Sequence, residues 1–526
     1  LIYQCHVDRR CFFAANLFGV YSLNNEAKTM NLSYFIKGKG IDFMLDTLPF
    51  KLKKILMMGL LATAWSSAAQ AEIVLPDFSS ASESALSTSE ESRIGRQIVA
   101  QIRAANGIVV DAEINAYIQS LGARLLKASG RSPFQYYFFM VEDDTINAFA
   151  LPGGVIGMNA GLMLFANTES EMASVLGHEI AHVTQRHLAR KQELQSRNQW
   201  LSIAAMIMAG IAASKTKTPG LVVAGAGAGA TSELAYSRDF EREADRIGMQ
   251  IMAKAQFDVQ DMSRFFQTLG QQSRYNKDTP FAFLLTHPLT PERVAEAQNR
   301  ALNYPTIRTP SSLDFLLSKA KLGVLAADTP ISAVLQYQAM DEPSDKLAAG
   351  VFFYGYAYAQ LAAGNPVEAA TLMAKAQAKL PKTRFLTTLA AEIEQASGRG
   401  DKALLIYQTA LNSAPKDRPL ILGEIRQLLM NQQKTLASQR LETLLALSPN
   451  DPDFLRLQAQ SYADVDAFRS HAAEGNALFL EGSYESAIVQ YKLATAAPST
   501  DNRLRATIEA RLKQAEQAMA AQKNNS

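Results

Sequence analysis

"LGHEIAHVTQRH" (Leu176–His187) sets two histidines, His178 and His182, four residues apart, with Glu179 directly after the first. Three of the chain's six histidines fall in these twelve residues. A spacing of four stacks both imidazoles on one face of a helix, where two neutral rings reach a single cation. Glu179 then points about 100° around the same helix, toward the cation's open side. H-E-x-x-H is the zinc-peptidase pattern, with the glutamate as general base. The competing reading is an ordinary amphipathic helix that contains histidine, and so short a pattern leaves it open.

A catalytic zinc wants a third protein ligand. "DFEREADRIG" (239–248) offers Asp239, Glu241, Glu243 and Asp245. Glu241 and Asp245 share a helix face at i and i+4, so Glu241 suits the metal and Asp245 suits the outer N–H of a ligating histidine. Arg238, Arg242 and Arg246 interleave with them. A solvated, salt-bridged helix would read the same way, and composition alone does not separate the two.

His287 lies in "LLTHPLTPERV" (284–294). Thr290 and Pro291 read as N-cap and first position of a helix, so the prolines fix the loop that presents the histidine. Two metal-proximal roles are open to His287: donating to an oxyanion, or filling zinc's fourth position in a latent state. The third possibility is a histidine packed at a domain boundary. The distance from its Nε2 to the metal position decides among them. His187 falls on a different side of the helix from the ligand pair and reads, with Arg186 and Arg190, as a basic helix C-terminus.

Taken in order, "NAFALPGGVIGMNAGLM" (147–163), "HEIAH" (178–182), "FEREADRIG" (240–248) and "THPLTPERV" (286–294) resemble the gluzincin metallopeptidases of the CAAX-prenyl-protease and HtpX class. The class pattern is HExxH plus ExxxD. The resemblance implies zinc, one ion per chain, with His178, His182 and Glu241 as ligands, Glu179 as base and Asp245 as the carboxylate behind a ligand. Glu179 would take a proton from zinc-activated water and pass it to the leaving amine.

The N-terminal part reads differently. "KLKKILMMGLLATAWSSAAQA" (51–71) has a lysine-rich start, an apolar run of about ten residues and an A-x-A close, the layout of a secretory signal peptide. No cysteine follows it to carry a lipid. Residues 1–43 read as upstream sequence ahead of a Met44 start. Without residues 1–71, which hold eight basic and four acidic side chains, 44 basic and 46 acidic remain, so nucleic acid is not an expected partner. Both cysteines, Cys5 and Cys11, fall in the same segment, which leaves histidine and carboxylate as metal ligands. No run of 18 apolar residues marks a membrane span. The apolar stretch 200–214, followed by "LVVAGAGAGAT", reads as a small-residue helical hairpin against the active-site helix. A lid touching membrane or substrate is its alternative.

Between the leader 72–90 and the motif helix, helices are expected over roughly 91–105 and 111–128. "FQYYFFMVED" (134–143) reads as a buried strand, and Val155–Met158 as a short strand after the Pro152-Gly153-Gly154 turn. If Val155–Met158 sits at a sheet edge, it can pair with an extended substrate. Thr168 and Glu171 fit a capping box at the start of the motif helix. A further helix is expected over about 232–255.

From about residue 345 a 34-residue period appears. Pro381, Pro415 and Pro449 keep it, as do Ala369, Ala403 and Ala437, and Gly364 and Gly398. "GSYESAIVQYKLATAAP" (482–498) supplies another copy after an irregular interval. This is the tetratricopeptide period, and such repeats stack into a superhelix with a peptide-binding groove.

The expected architecture is therefore mainly α: an upstream segment and signal peptide (1–71), a leader (72–90), a gluzincin metallopeptidase domain with a small β-sheet (91–340) and an α-solenoid of tetratricopeptide repeats (341–526). That order is similar to periplasmic bacterial members of the class. It implies a periplasmic zinc endopeptidase in quality control and assembly of outer-membrane β-barrel proteins. Misfolded or stalled outer-membrane proteins would be substrates, with the assembly machinery recruited through the repeat groove and membrane contact at most peripheral. The rival is a chaperone or binding scaffold whose protease is latent or dispensable.

Overall fold

The computed structural model describes residues 87–104, 107–130, 132–191, 236–275 and 282–523. All of them belong to one compact unit, Asp77–Ser526. The expected signal peptide, most of the leader and the 200–214 hairpin lie outside the described residues.

Helix α1 (Thr88–Ala104) begins three residues inside the expected leader. Ile94, Ile98 and Ile102 recur every fourth position and are buried, packing with Phe139, Phe149 and Val155 of the sheet. Helix α2 (Ala112–Ser129) starts on Asp111, whose carboxylate accepts from the N–H groups of Glu113 and Ile114. Its apolar face, Ile114, Tyr117, Ile118, Leu121 and Leu125, is buried.

Three strands follow: β1 (Tyr137–Val141), β2 (Ala148–Leu151) and β3 (Val155–Asn159). The sheet order is β1-β3-β2. β3 runs parallel to β1, with Tyr137 opposite Val155, and antiparallel to β2, with Ala148 opposite Met158. This decides the alternative left open for Val155–Met158: it is the central strand, hydrogen-bonded on both sides, and no substrate can add to it. The edge beside the motif helix belongs to β2, a strand whose four residues, AFAL, carry no alternation to announce them.

After the short helix α3 (Ala160–Phe165) comes the motif helix α4 (Glu169–Thr184). Thr168 caps it by accepting from Glu171 N–H. Glu171 reaches back as expected, but to the N–H of Asn167, at 2.7 Å, one residue before the cap. The helix then breaks: Arg186 adopts a left-handed conformation (φ 51°), and a single turn, α5 (His187–Arg190), sets off in a new direction. Helix α6 (Arg238–Lys254), capped by Ser237, crosses α4 closely. A Cβ at Gly248 would sit 3.2 Å from the backbone nitrogen of His178, so any other residue would push the two helices apart by a few tenths of an ångström. Helices α7 (Gln260–Tyr275), α8 (Ala282–Thr286) and α9 (Pro291–Ala301) complete the site region. Thr290 and Pro291 are the N-cap and first position of α9, as expected.

Beyond residue 301 every described secondary-structure element is a helix. Helices α10 (Leu313–Leu325) and α11 (Pro330–Gln338) lead into α12 (Lys346–Ala362) and α13 (Pro366–Lys379). Packing does not pause at 340, since Leu317 of α10 lies in the same core cluster as Phe353 and Leu372. Then come α14 (Arg384–Ala396), α15 (Gly400–Ser413), α16 (Arg418–Met430), α17 (Lys434–Leu447) and α18 (Pro452–Tyr462). Arg384, Arg418 and Pro452 open helices 34 residues apart, and so do Pro366, Gly400 and Lys434. Ala369, Ala403 and Ala437 are fully buried at the helix contacts. Gly364, Gly398 and Gln432, again 34 apart, end the first helix of each pair with positive φ. Glycine is the usual residue there because that conformation costs it nothing. The irregular interval proves to be α18 alone, which runs directly into the pair α19 (Ala467–Leu480) and α20 (Tyr484–Ala496). Helix α21 (Asn502–Lys523) follows. No described helix is long and apolar enough to cross a membrane.

A candidate metal centre

His178 and His182 project from the same face of α4, and both rings are buried. Their Nε2 atoms stand 2.9 Å apart. Glu241 comes from the first turn of α6, with Oε1 3.4 Å from His182 Nε2 and Oε2 3.6 Å from His178 Nε2. His287, at the end of α8, completes the group: its Nδ1 lies 3.2 Å from His178 Nε2 and 3.0 Å from Glu241 Oε1. One donor atom from each of the four residues lies within 4.8 Å of every other.

These separations suit a metal. Zinc bonds to nitrogen and oxygen at roughly 2.0–2.1 Å, so tetrahedral donors around it stand about 3.3 Å from one another. Without a shared cation, a converging set of lone pairs in a dry pocket would be unfavourable. The histidine nitrogen that faces the set is Nδ1 of His287, not the Nε2 singled out from the sequence. His287 Nε2 points instead to Glu179, 3.3 Å from Oε1.

Glu179 is fully buried, and among the described residues neither of its oxygens accepts a hydrogen bond. Burial raises its pKa, with the nearby His287 and His178 opposing. Its carboxylate thus stands beside the donor set as a buried base that faces His287. Burial also lowers the pKa of His182 well below the usual value, which keeps its ring neutral and able to coordinate. Burial alone would raise Glu241, but Arg293, His287 and His178 outweigh it and hold the carboxyl well below its usual range.

Around these groups stands a shell that the sequence showed only in part. Asp245 faces His178 Nδ1 at 2.9 Å, the placement expected for it. Arg293 of α9 carried no sequence signal beyond its charge, yet it pairs with both Asp245 and Glu241. Burial pulls the Asp245 carboxyl up, but Arg293 prevails and its pKa is lowered. Tyr236 stacks on His182 at 3.8 Å between ring centroids, with its hydroxyl buried. His187, expected to be an ordinary helix end, sits fully buried under His182, with the two Nδ1 atoms 2.9 Å apart. The break at Arg186 puts it there, and a helical wheel drawn through 169–190 cannot foresee that break.

A helix-borne imidazole pair, an oxygen donor from a second helix and a poised glutamate together define a metallopeptidase. Comparison with known proteins agrees. The chain is 32% identical over 458 residues to the beta-barrel assembly-enhancing protease of Yersinia pestis, covering 84% of this chain and 92% of the relative. It is 33% identical over 353 residues to the protein of the same name from Escherichia coli K12, covering 66% of this chain and 71% of that one. A more distant likeness, 29% over 189 residues, is to the mitochondrial metalloendopeptidase OMA1 of Schizosaccharomyces pombe, covering 35% of this chain and 51% of the relative. Residues 112–301 match peptidase family M48, and the chain belongs to that family.

Proposed function

We propose that the chain is a periplasmic zinc endopeptidase acting in the quality control and assembly of outer-membrane β-barrel proteins. The observation that carries the catalytic reading is the meeting of His178, His182, Glu241 and His287 beside the buried carboxylate of Glu179. The assembly role rests on the names of the bacterial relatives, which match along most of this chain.

His178, His182 and Glu241 would hold the ion, with Asp245 orienting His178. Zinc, when bound, supplies Lewis acidity, making water acidic and a carbonyl electrophilic. Glu179 takes the proton from the attacking water and delivers it to the departing amine nitrogen. An extended substrate has one sheet edge next to α4 to pair with, that of β2. His287 caps the site as a fourth donor and keeps the enzyme latent until substrate or a partner draws its loop aside.

The helices after residue 312 form a tetratricopeptide array, and with it a domain boundary between α9 and α10, ahead of the 340 expected. The 34-residue recurrence of helix starts, buried alanines and positive-φ turns supports the array between Gly364 and Pro452, and the packing of Leu317 with Phe353 and Leu372 supports adding α10 to it. Its groove would recruit stalled outer-membrane proteins or the machinery that inserts them. The closeness of His287 also favours a second reading, in which the protein acts chiefly as a scaffold with its protease held in check.

Metal analysis of the purified chain, wild type against His178→Ala, tests the ligand set; equal metal content in both sinks it. A barrel-assembly assay separates the two functions. Failure of Glu179→Gln there, with metal retained, supports proteolysis. Full rescue by Glu179→Gln, together with failure of a chain truncated after residue 312, supports the scaffold.

A further inference from the structure

The metal reading gives His187 no task, although its ring is fully buried among charged groups. We propose that His187 is a positioning residue for metal binding: its Nδ1 accepts the hydrogen bond that fixes the tautomer and ring angle of His182. The inference rests on the metal site proposed above.

An imidazole that gives one nitrogen's lone pair to a cation keeps its proton on the other, and that N–H needs an acceptor when buried. For His178 the acceptor is Asp245, 2.9 Å from its Nδ1. His182 is as deeply buried, and its Nδ1 faces Nδ1 of His187 at 2.9 Å. Only one of two facing nitrogens can carry the proton. With His182 Nε2 turned toward the donor set, the proton belongs on His182 Nδ1, and His187 Nδ1 must accept. The proton of His187 then sits on Nε2, which faces Glu243 Oε2 at 3.1 Å. Arg190 Nη1 donates to that same oxygen at 3.1 Å. His182, His187, Glu243 and Arg190 thus form one directed chain of hydrogen bonds ending in an ion pair.

Local geometry holds the chain in place. His187 stacks on Phe240, with 4.5 Å between centroids and planes 10° apart. Were α4 to continue unbroken, residue 187 would lie about 140° around the axis from His182. The left-handed Arg186 redirects the backbone, and its guanidinium is anchored on Glu91, with Nε 3.0 Å from Oε1. A conformation that a non-glycine residue rarely adopts is thereby maintained at the step that brings His187 beneath His182.

The test measures zinc affinity of the full chain by chelator competition, together with the visible absorption of the cobalt-substituted protein. His187→Leu is expected to bind zinc 10–100-fold more weakly and to alter the cobalt spectrum. His187→Asn, whose Oδ1 can accept in place of Nδ1, is expected to recover most of the affinity. Wild-type affinity and spectrum in His187→Leu overturn the proposal, and so does a His187→Asn no better than leucine. Should His187→Leu fail to fold, judged by melting of the metal-free protein, Glu243→Ala serves: it keeps the histidine, removes its anchor and is expected to weaken binding several-fold, with unchanged affinity overturning the idea. A wild-type chain that binds no zinc, or a His178→Ala chain that binds it as tightly, fails the underlying site instead and takes this inference with it.

Discussion

The Arg293 guanidinium grips the Asp245 carboxylate with two hydrogen bonds, Nε to Oδ2 at 2.6 Å and Nη2 to Oδ1 at 2.8 Å. The same guanidinium pairs with Glu241, so one cation from α9 balances two buried carboxylates of α6. Removing it strips both buried acids of their guanidinium partner and leaves them facing His287 and His178. Arg293→Met should therefore destabilise the metal-free protein by about 3–5 kcal/mol. Arg293→Lys should recover only part of that, because an ammonium cannot reproduce the paired donors. Chemical denaturation of the metal-free chains measures both, and a loss below about 1 kcal/mol in Arg293→Met would show that the pairs carry little.

His287 presents opposite ring nitrogens to the donor set and to Glu179. If it caps the metal, substrate must displace it, and the closed state taxes every turnover. His287→Ala should raise peptidase activity about tenfold or more, the gain that follows when the competent state is a tenth populated or less. Its metal content should stay near one per chain, because three ligands remain. Peptide hydrolysis and metal analysis on the same sample check this. A fall in activity with metal retained would assign His287 to transition-state stabilisation instead.

How far the site could be read from sequence follows from how local each signal is. His178, His182 and Glu179 are fixed by helical spacing within five residues, and Glu241 with Asp245 by the same spacing on a second helix. Arg293 and Tyr236 reach the site only through tertiary packing, and no local period marks them. His187 was misjudged because the reading assumed an unbroken helix past Thr184. In the sheet, β3 was located but its place, edge or interior, stayed open, since pairing depends on β2, too short and uniformly apolar to stand out. The 34-residue spacing was legible because it recurs in the helix starts from Pro366 to Pro452.

Tyr407 offers a check on a helix contact within that spacing. Its ring lies over Gly423 on the next helix, where an added Cβ would come within 2.3 Å of a ring carbon. The ring is buried and has little room to retreat. Gly423→Ala should cost about 1–3 kcal/mol, the range for overpacking a filled contact. At Gly364 the space is open, with nothing within 4 Å of an added Cβ, and the cost arises only from φ of 80°. Gly364→Asn should therefore be milder than Gly364→Ala, since asparagine tolerates that conformation better. Thermal melts of the three variants test the ranking; a neutral Gly423→Ala would mean the helices can part without loss.

Glu392 supplies a pH test away from the metal. Burial lifts its pKa to about 7, with Lys321 opposing and Glu113 and Asp111 adding repulsion. Lys321 is itself shared by Asp111 and Glu113, each at 2.7 Å, where α2 meets α10. A carboxyl whose folded pKa lies above its unfolded value favours folding when protonated. That contribution is complete below about pH 4.5, declines as pH rises toward 7, and is absent above it. Glu392→Gln mimics the protonated form at every pH. It should match wild type near pH 4.5 and exceed it at pH 8 by at most about 3 kcal/mol, the value of the full shift. Paired denaturation curves across that range decide the matter: a stabilisation independent of pH would show that the glutamine acts through packing, and that Glu392 is already ionised at neutral pH without penalty.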